Sequence, residues 1–155
     1  MGAAARPPHR RPGDVMTESV DLTREYAAAP HRLWTAWTTR DGLVRWWWRH
    51  WPGVTCDVDL RVGGHWRIEA PGQKIAVHGT YTRIDEPTDL GFTWIWSEDG
   101  IDGPVEHVEV TFAAHGDGTH LRVRHSGIAD LDGMRAYEQG WAFTLTQLHD
   151  RLGEV

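Results

Sequence analysis

The sequence predicts an α+β domain in which an antiparallel sheet carries one long C-terminal helix. Three observations lead there. Met134, Tyr137, Trp141, Leu145, Leu148 and Leu152 recur at steps of three or four, which is one face of a helix. Between Val54 and His125, apolar residues instead alternate with polar ones in short segments parted by Gly, Pro and Asp, as in hairpin-linked strands. Before them stand one more alternating segment and two short helical patterns. A helix of about twenty residues spans roughly 30 Å. Its stripe needs a broad apolar surface, and a sheet supplies one.

Residues 1–16 are rich in Ala, Arg, Pro and Gly without periodicity. They are expected to form a disordered tail, with Met16 as an alternative start, and the domain is expected over 17–155. Ser19 to Tyr26 alternates as a first strand, with Val20, Leu22 and Tyr26 on one side and Arg24 interrupting the apolar face. Pro30 opens a helix, where its missing N–H is harmless, and Leu33, Trp34 and Trp37 share a side of it. Thr38 to Gly42 breaks that helix, Leu43, Val44, Trp46 and Trp47 suit a second one, and Pro52-Gly53 ends the pair.

Val54, Cys56, Val58, Leu60 and Val62 then share one face of a strand. Gly63-Gly64 signals a two-residue hairpin turn, which needs positive φ. Trp66, Ile68 and Ala70 line the next strand, and Ile75 to Ile84 follows after Pro71-Gly72. Leu90, Phe92, Trp94 and Trp96 give a one-sided strand, and Ser97 to Pro104 is expected to be a polar loop. Val108, Val110 and Phe112 mark another strand. Gly116-Asp117-Gly118 turns it back into Leu121, Val123 and His125. Gly133 is expected to precede the long helix and Gly153 to cap it.

Bulk properties narrow the function. The chain has 155 residues, enough for one domain with a core that needs no staples. Sixteen basic against twenty-two acidic side chains give a formal charge of −6, which argues against nucleic acid or an anionic membrane as a partner. No apolar run approaches the ~18 residues of a membrane span, and the N-terminus lacks the roughly 7–15-residue apolar core of a secretory signal. Cys56 is the single cysteine, so no internal disulfide forms, consistent with a reducing cytoplasm. The ten tryptophans stand out. Leu or Ile would fill a core with no indole N–H to satisfy.

The motifs in this order resemble the START-like (SRPBCC) superfamily, and within it the branch named for homologues of the heat-shock-protein ATPase activator. The branch opens on R-x-aromatic-x-A-P, here Arg24, Tyr26 and Ala28, with Ala29 in the proline slot and Pro30 one place later. Its V-W-x-A-W-T is Leu33-Trp34-Thr35-Ala36-Trp37-Thr38, and its L-x-x-W-W is Leu43, Trp46 and Trp47. Its D-x-R-V-G-G is complete at Asp59, Arg61, Val62, Gly63 and Gly64. Gly79, Tyr81 and Ile84 follow, then Thr119, Leu121, His125, Ser126 and Gly127, then Gly140, Trp141, Leu145 and Leu148. The resemblance spans about residues 20–152. It implies a helix-grip fold, a curved antiparallel sheet of six to seven strands wrapped around the long helix, with two short helices after strand 1. It also implies a cavity between sheet and helix that often takes an apolar small molecule. It implies no single reaction, because the superfamily holds lipid carriers, receptors, polyketide cyclases and resistance proteins.

Within that frame Trp66, Tyr81, Trp94, Trp96, Phe112, Trp141 and Leu145 are the expected ligand-binding residues, because they lie on apolar strand faces or on the helix stripe facing the sheet. If they pack solidly they are only core. Arg24, Glu69, His78 and His125 are candidate polar groups of the pocket. Asp59 and Arg61, two apart on one strand, read as a structural pair. His115, His120 and His125 do not read as a metal set, since residues five apart on a strand face opposite ways. No H-E-x-x-H and no G-x-S-x-G elbow occurs. Cys56 sits on an apolar face and reads as inert core. No catalytic residue, metal or cofactor is assigned.

The leading expectation is non-catalytic binding of a hydrophobic or aromatic small molecule. One alternative is an enzyme of the cyclase or hydrolase type using a buried His or carboxylate. Another is a co-chaperone-like protein-binding module, weakened because the eponymous activators carry a second domain. A monomer or a homodimer fits, with Phe143 on the outer side of the long helix as the residue that would mark a contact between copies.

Overall fold

A computed structural model describes residues 17–152; the expected tail, residues 1–16, lies outside them. The elements run β1 (Glu18–Tyr26), α1 (Pro30–Thr38), α2 (Arg40–Leu43), β2 (Thr55–Val58), β3 (His65–Ala70), β4 (Ile75–Asp85), β5 (Asp89–Glu98), β6 (Ile101–His115), β7 (Gly118–Ile128) and α3 (Leu131–Leu152). The seven strands form one curved antiparallel sheet in the order β1-β7-β6-β5-β4-β3-β2, and α3 lies across it in the helix-grip arrangement.

This order has a direct consequence. β1 and β2 are consecutive in the chain yet occupy opposite edges of the sheet. The segment between them must therefore cross the whole sheet, and it carries six of the ten tryptophans. Trp34, Trp37, Trp46, Trp47 and Trp48 are all buried on the way. They meet Val108, Val110, Phe112, Leu121, Val123 and the Trp141–Leu145–Leu148 stripe of α3 in one apolar cluster.

Local sequence explains most boundaries. Pro30 opens α1, and Thr39 caps α2 by accepting the Gly42 N–H on its hydroxyl at 3.0 Å. The Glu98–Ile101 turn puts Asp99 and Gly100 at φ 53° and 78°, the left-handed region that Gly and Asp tolerate best. Asp130 Oδ1 accepts the Gly133 N–H at 2.8 Å, so α3 begins before Gly133 rather than after it.

Three expectations are corrected. The strand expected to reach Val62 stops at Val58, and Leu60 and Val62 are exposed, Val62 by 64%. Asp59 N–H bonds to His65 C=O, and Arg61 and Gly64 N–H bond inside the loop they span, so alternation in the sequence continues where the ladder has already closed. Gly63 has φ +85°, but Gly64 is needed for closeness: a Cβ there would lie 2.1 Å from the Asp59 carbonyl oxygen. Next, Ser97–Pro104 is not a loop; β5 and β6 pair through it, Ser97 opposite Asp102 and Glu98 opposite Ile101. Main-chain pairing there proceeds with exposed side chains, which composition alone reads as loop. Lastly, the second helix is Arg40–Leu43, ahead of the tryptophans, and a positive φ at Trp48 keeps the chain after it from continuing as helix.

Candidate functional site

The tryptophan crossing does not fill the whole space under α3. A cleft of about 340 Å³ remains between Trp47 and Trp48 of the crossing, Trp94, Trp96 and Glu98 of β5, and the first half of α3. Gly133, Ala136 and Gly140, at steps of three and four on α3, supply the helix side. A Cβ on Gly140 would meet nothing within 4 Å, so these small residues leave the helix surface hollow beside Tyr137 and Trp141. The aromatic walls stand at steep angles to one another: Trp48 to Trp96 at 82°, Trp96 to Tyr137 at 77°, Trp47 to Trp141 at 90°. Glu98 stands at the rim, where its Oε1 accepts the Trp96 indole N–H at 2.8 Å.

Beneath the floor lies a buried polar chain. The Trp94 indole N–H donates to the Tyr137 hydroxyl at 3.2 Å. The Trp141 indole N–H donates to Nδ1 of His125 at 3.0 Å, and Nε2 of the same ring is 2.8 Å from Glu106 Oε1. His125 is 0% exposed and Glu106 5%. An indole N–H can only donate, so Nδ1 must accept and the proton resides on Nε2, pointing at the carboxylate. His125 is thereby held as the neutral imidazole. Tyr137 packs against it with ring centres 4.3 Å apart and the planes tilted by 38°. Burial, and next the Glu106 charge, push the Tyr137 phenol well above its ordinary value, so it stays protonated.

The expected ligand residues divide three ways. Trp94, Trp96 and Trp141 line the cleft. Trp66 and Tyr81 do not; they face a separate void of about 20 Å³ among Trp37, Leu43, Ile68 and Phe92, smaller than any organic ligand. There Trp66 donates its N–H to Thr93 C=O at 3.2 Å, and a Cβ on its cross-strand partner Gly79 would collide with that carbonyl at 2.0 Å. Phe112 and Leu145 are 1% exposed and packed: Phe112 against Trp34 and Trp37, Leu145 with its carbonyl accepting the Tyr26 hydroxyl at 3.0 Å. Trp34 and Trp37 of the crossing pack on Phe112, and Trp37 and Trp47 border the small void beside Trp66 and Tyr81, which is why the interior is filled where a cavity was expected.

Of the polar candidates, only His125 adjoins the cleft, and it does so from beneath. His78 points to the outer face, where it meets Asp102 at 3.0 Å, and that contact holds the Asp102 carboxyl below its usual range. Glu69 is on the outer face too, 3.6 Å from Arg67. Arg24 donates to the Thr23 carbonyl and is not among the residues that line this cleft. Asp59 and Arg61 pair at 2.9 Å in the exposed β2–β3 loop, not on a strand. Among the described residues no three His, Cys, Asp or Glu side chains converge to hold a metal. His120 pairs with Glu25 on the surface, away from His125. Burial pushes the Cys56 thiol up to about 12, which leaves it unreactive.

Sequence reasoning missed Trp47, Trp48, Tyr137, Glu98 and Glu106 as site residues. Glu106 left a signal: at two-residue steps it shares the face of Val108, Val110 and Phe112, an acid on an otherwise apolar strand face. Trp47 and Trp48 left none, because their placement follows from the crossing between sheet edges rather than from any local period.

The family model described as Activator of Hsp90 ATPase homolog 1-like protein matches residues 27–153. No curated protein matches the sequence. Among solved structures, the AHSA1 protein from Silicibacter pomeroyi is 28% identical, with 88% of this chain and 98% of that chain covered and a TM-score of 0.73. CalU16 from Micromonospora echinospora is 25% identical over 85% of this chain and 74% of that one, with a TM-score of 0.67. An HSP90 activator from Plasmodium falciparum, 24% identical over 87% and 96% with a TM-score of 0.69, shares the fold.

Proposed function

We propose, from the premise that the chain belongs to the Activator of Hsp90 ATPase homolog 1-like family, that it binds an aromatic or apolar small molecule in the cleft between β5, the tryptophan crossing and α3, without transforming it. The observation that carries this reading is the aromatic lining itself. Five tryptophans and one tyrosine surround about 340 Å³, a volume within the ordinary range for small-molecule sites. Burying a few hundred Å² there at about 25 cal/mol per Å² gives several kcal/mol before the entropic costs of association, enough for micromolar affinity.

The reading as a binder rather than an enzyme rests on how His125 is used. Both ring nitrogens are committed, one to Trp141 and one to Glu106, and the ring has no exposed surface. A general base must reach the proton it takes, and this imidazole has no free lone pair with which to take one. The protein-binding alternative draws on the family's name, and no feature of the cleft favours it.

The test is a titration of tryptophan emission with a panel of aromatic and polycyclic compounds. Saturable quenching or a spectral shift at micromolar concentration supports the reading. A panel that leaves the emission unchanged contradicts it.

A further inference from the structure

We infer that the molecule this cleft takes carries a positive charge: an aromatic or alkyl ammonium whose nitrogen seats against the indole faces beside Glu98. The inference rests on the cleft being the ligand site and adds the charge of its occupant.

Three independent features favour the same sign. First, the lining among the described residues contains one carboxylate, Glu98, and no Lys, Arg or His. Glu98 is fixed at the rim by the Trp96 N–H, and its charge is felt across the cleft at Tyr137, where it helps to keep the phenol protonated. Second, a further carboxylate, Glu106, lies directly under the floor. Its partner His125 accepts the Trp141 N–H on Nδ1 and turns Nε2 to the carboxyl group, so the ring sets no cation against Glu98. Third, indole and phenol faces are the negative side of the aromatic quadrupole and attract cations.

An anionic ligand would meet the Glu98 carboxylate with no cation in the lining to answer it. The donors that the lining does offer, the Trp48 indole N–H and the Thr144 hydroxyl, are neutral, and the Trp47 indole N–H is buried with no solvent-accessible surface of its own. A neutral ligand covering the rim would strip water from Glu98 without replacing it.

Three probes of nearly one shape separate the alternatives: benzyltrimethylammonium, its uncharged isostere neopentylbenzene, and the anion phenylmethanesulfonate. Each is titrated by tryptophan emission and by calorimetry. The cation is expected to bind about tenfold or more tighter than the isostere, and the anion most weakly. Glu98→Gln is expected to weaken the cation about fivefold and to leave the isostere unchanged. A neutral or anionic probe that binds as tightly as the cation, or a Glu98→Gln variant that holds the cation undiminished, overturns the charge preference while the aromatic cleft stands. Silence from all three probes overturns both.

Discussion

Trp141 donates its indole N–H to Nδ1 of His125 over 3.0 Å, and that one bond decides which nitrogen of the imidazole carries the proton. It ties α3 to β7 at the place where Glu106 arrives from β6. It also makes Trp141 a structural residue. Its ring is 3% exposed, stacks on Trp37 at 5.9 Å and 19°, and meets Trp47 at 90°.

Removing His125 therefore strands Glu106. His125→Leu is expected to cost about 3–5 kcal/mol, the usual penalty for leaving one partner of a buried polar pair unanswered. Adding Glu106→Leu is expected to recover much of that loss, since two apolar groups need no partners. Chemical denaturation of both single variants and the double variant measures the coupling. Strictly additive losses would mean that the pair is not coupled.

Alkali tests the buried phenols. All three tyrosines, Tyr26, Tyr81 and Tyr137, are held above their ordinary range chiefly by burial, and Cys56 is pushed up to about 12 for the same reason. Raised folded values mean that the neutral forms stabilise the fold. That stability is complete below the unfolded values, near 9 to 10, and drains away as pH rises past them. The native protein is expected to show no tyrosinate absorbance at pH 10. The absorbance should appear in one step with loss of circular dichroism at higher pH. A tyrosine that titrates near pH 10 in folded protein contradicts the burial.

Gly63 and Gly64 act by different means, and their substitutions should differ. Gly63→Ala places a Cβ in open space but at φ +85°, and is expected to cost about 1 kcal/mol. Gly64→Ala drives a Cβ into the Asp59 carbonyl, so the loop must move, and a larger loss is expected. Equal melting temperatures for the two variants would contradict this account.

The fold was legible because its signals are local. The α3 stripe from Met134 to Leu152, the β5 run from Leu90 to Trp96 and the Gly116–Gly118 turn each declare themselves within a dozen residues. The site was only partly legible. Trp94, Trp96 and Trp141 announce an aromatic face, but the location of the hollow depends on what Trp37, Trp46 and Trp47 fill. That follows from β1 and β2 lying at opposite edges of the sheet. Strand order is a non-local property, and no residue pattern in the crossing encodes it. The alternation carried past Val58 to Val62 misled for a related reason, since periodicity does not show where pairing ends.

Phe143 is 47% exposed on the outer side of α3, yet it already has a neighbour, with its ring edge-on to His50 at 5.0 Å. Phe143→Glu is expected to leave the mass in solution unchanged by light scattering, with a stability change within about 0.5 kcal/mol. A dimer in the parent protein that dissociates in the variant would instead assign this face to a contact between copies.

Trp96 offers the most direct test of the cleft. It is half-buried, belongs to the lining, and bonds only to the rim carboxylate Glu98, so its removal alters the cleft more than the core. The measurement is the dissociation constant of an aromatic ligand found by titration, taken for the parent and for Trp96→Ala, with thermal melts of both. The account predicts affinity lower by about tenfold or more with the melting temperature within a few degrees of the parent. Unchanged affinity in a folded Trp96→Ala would contradict it.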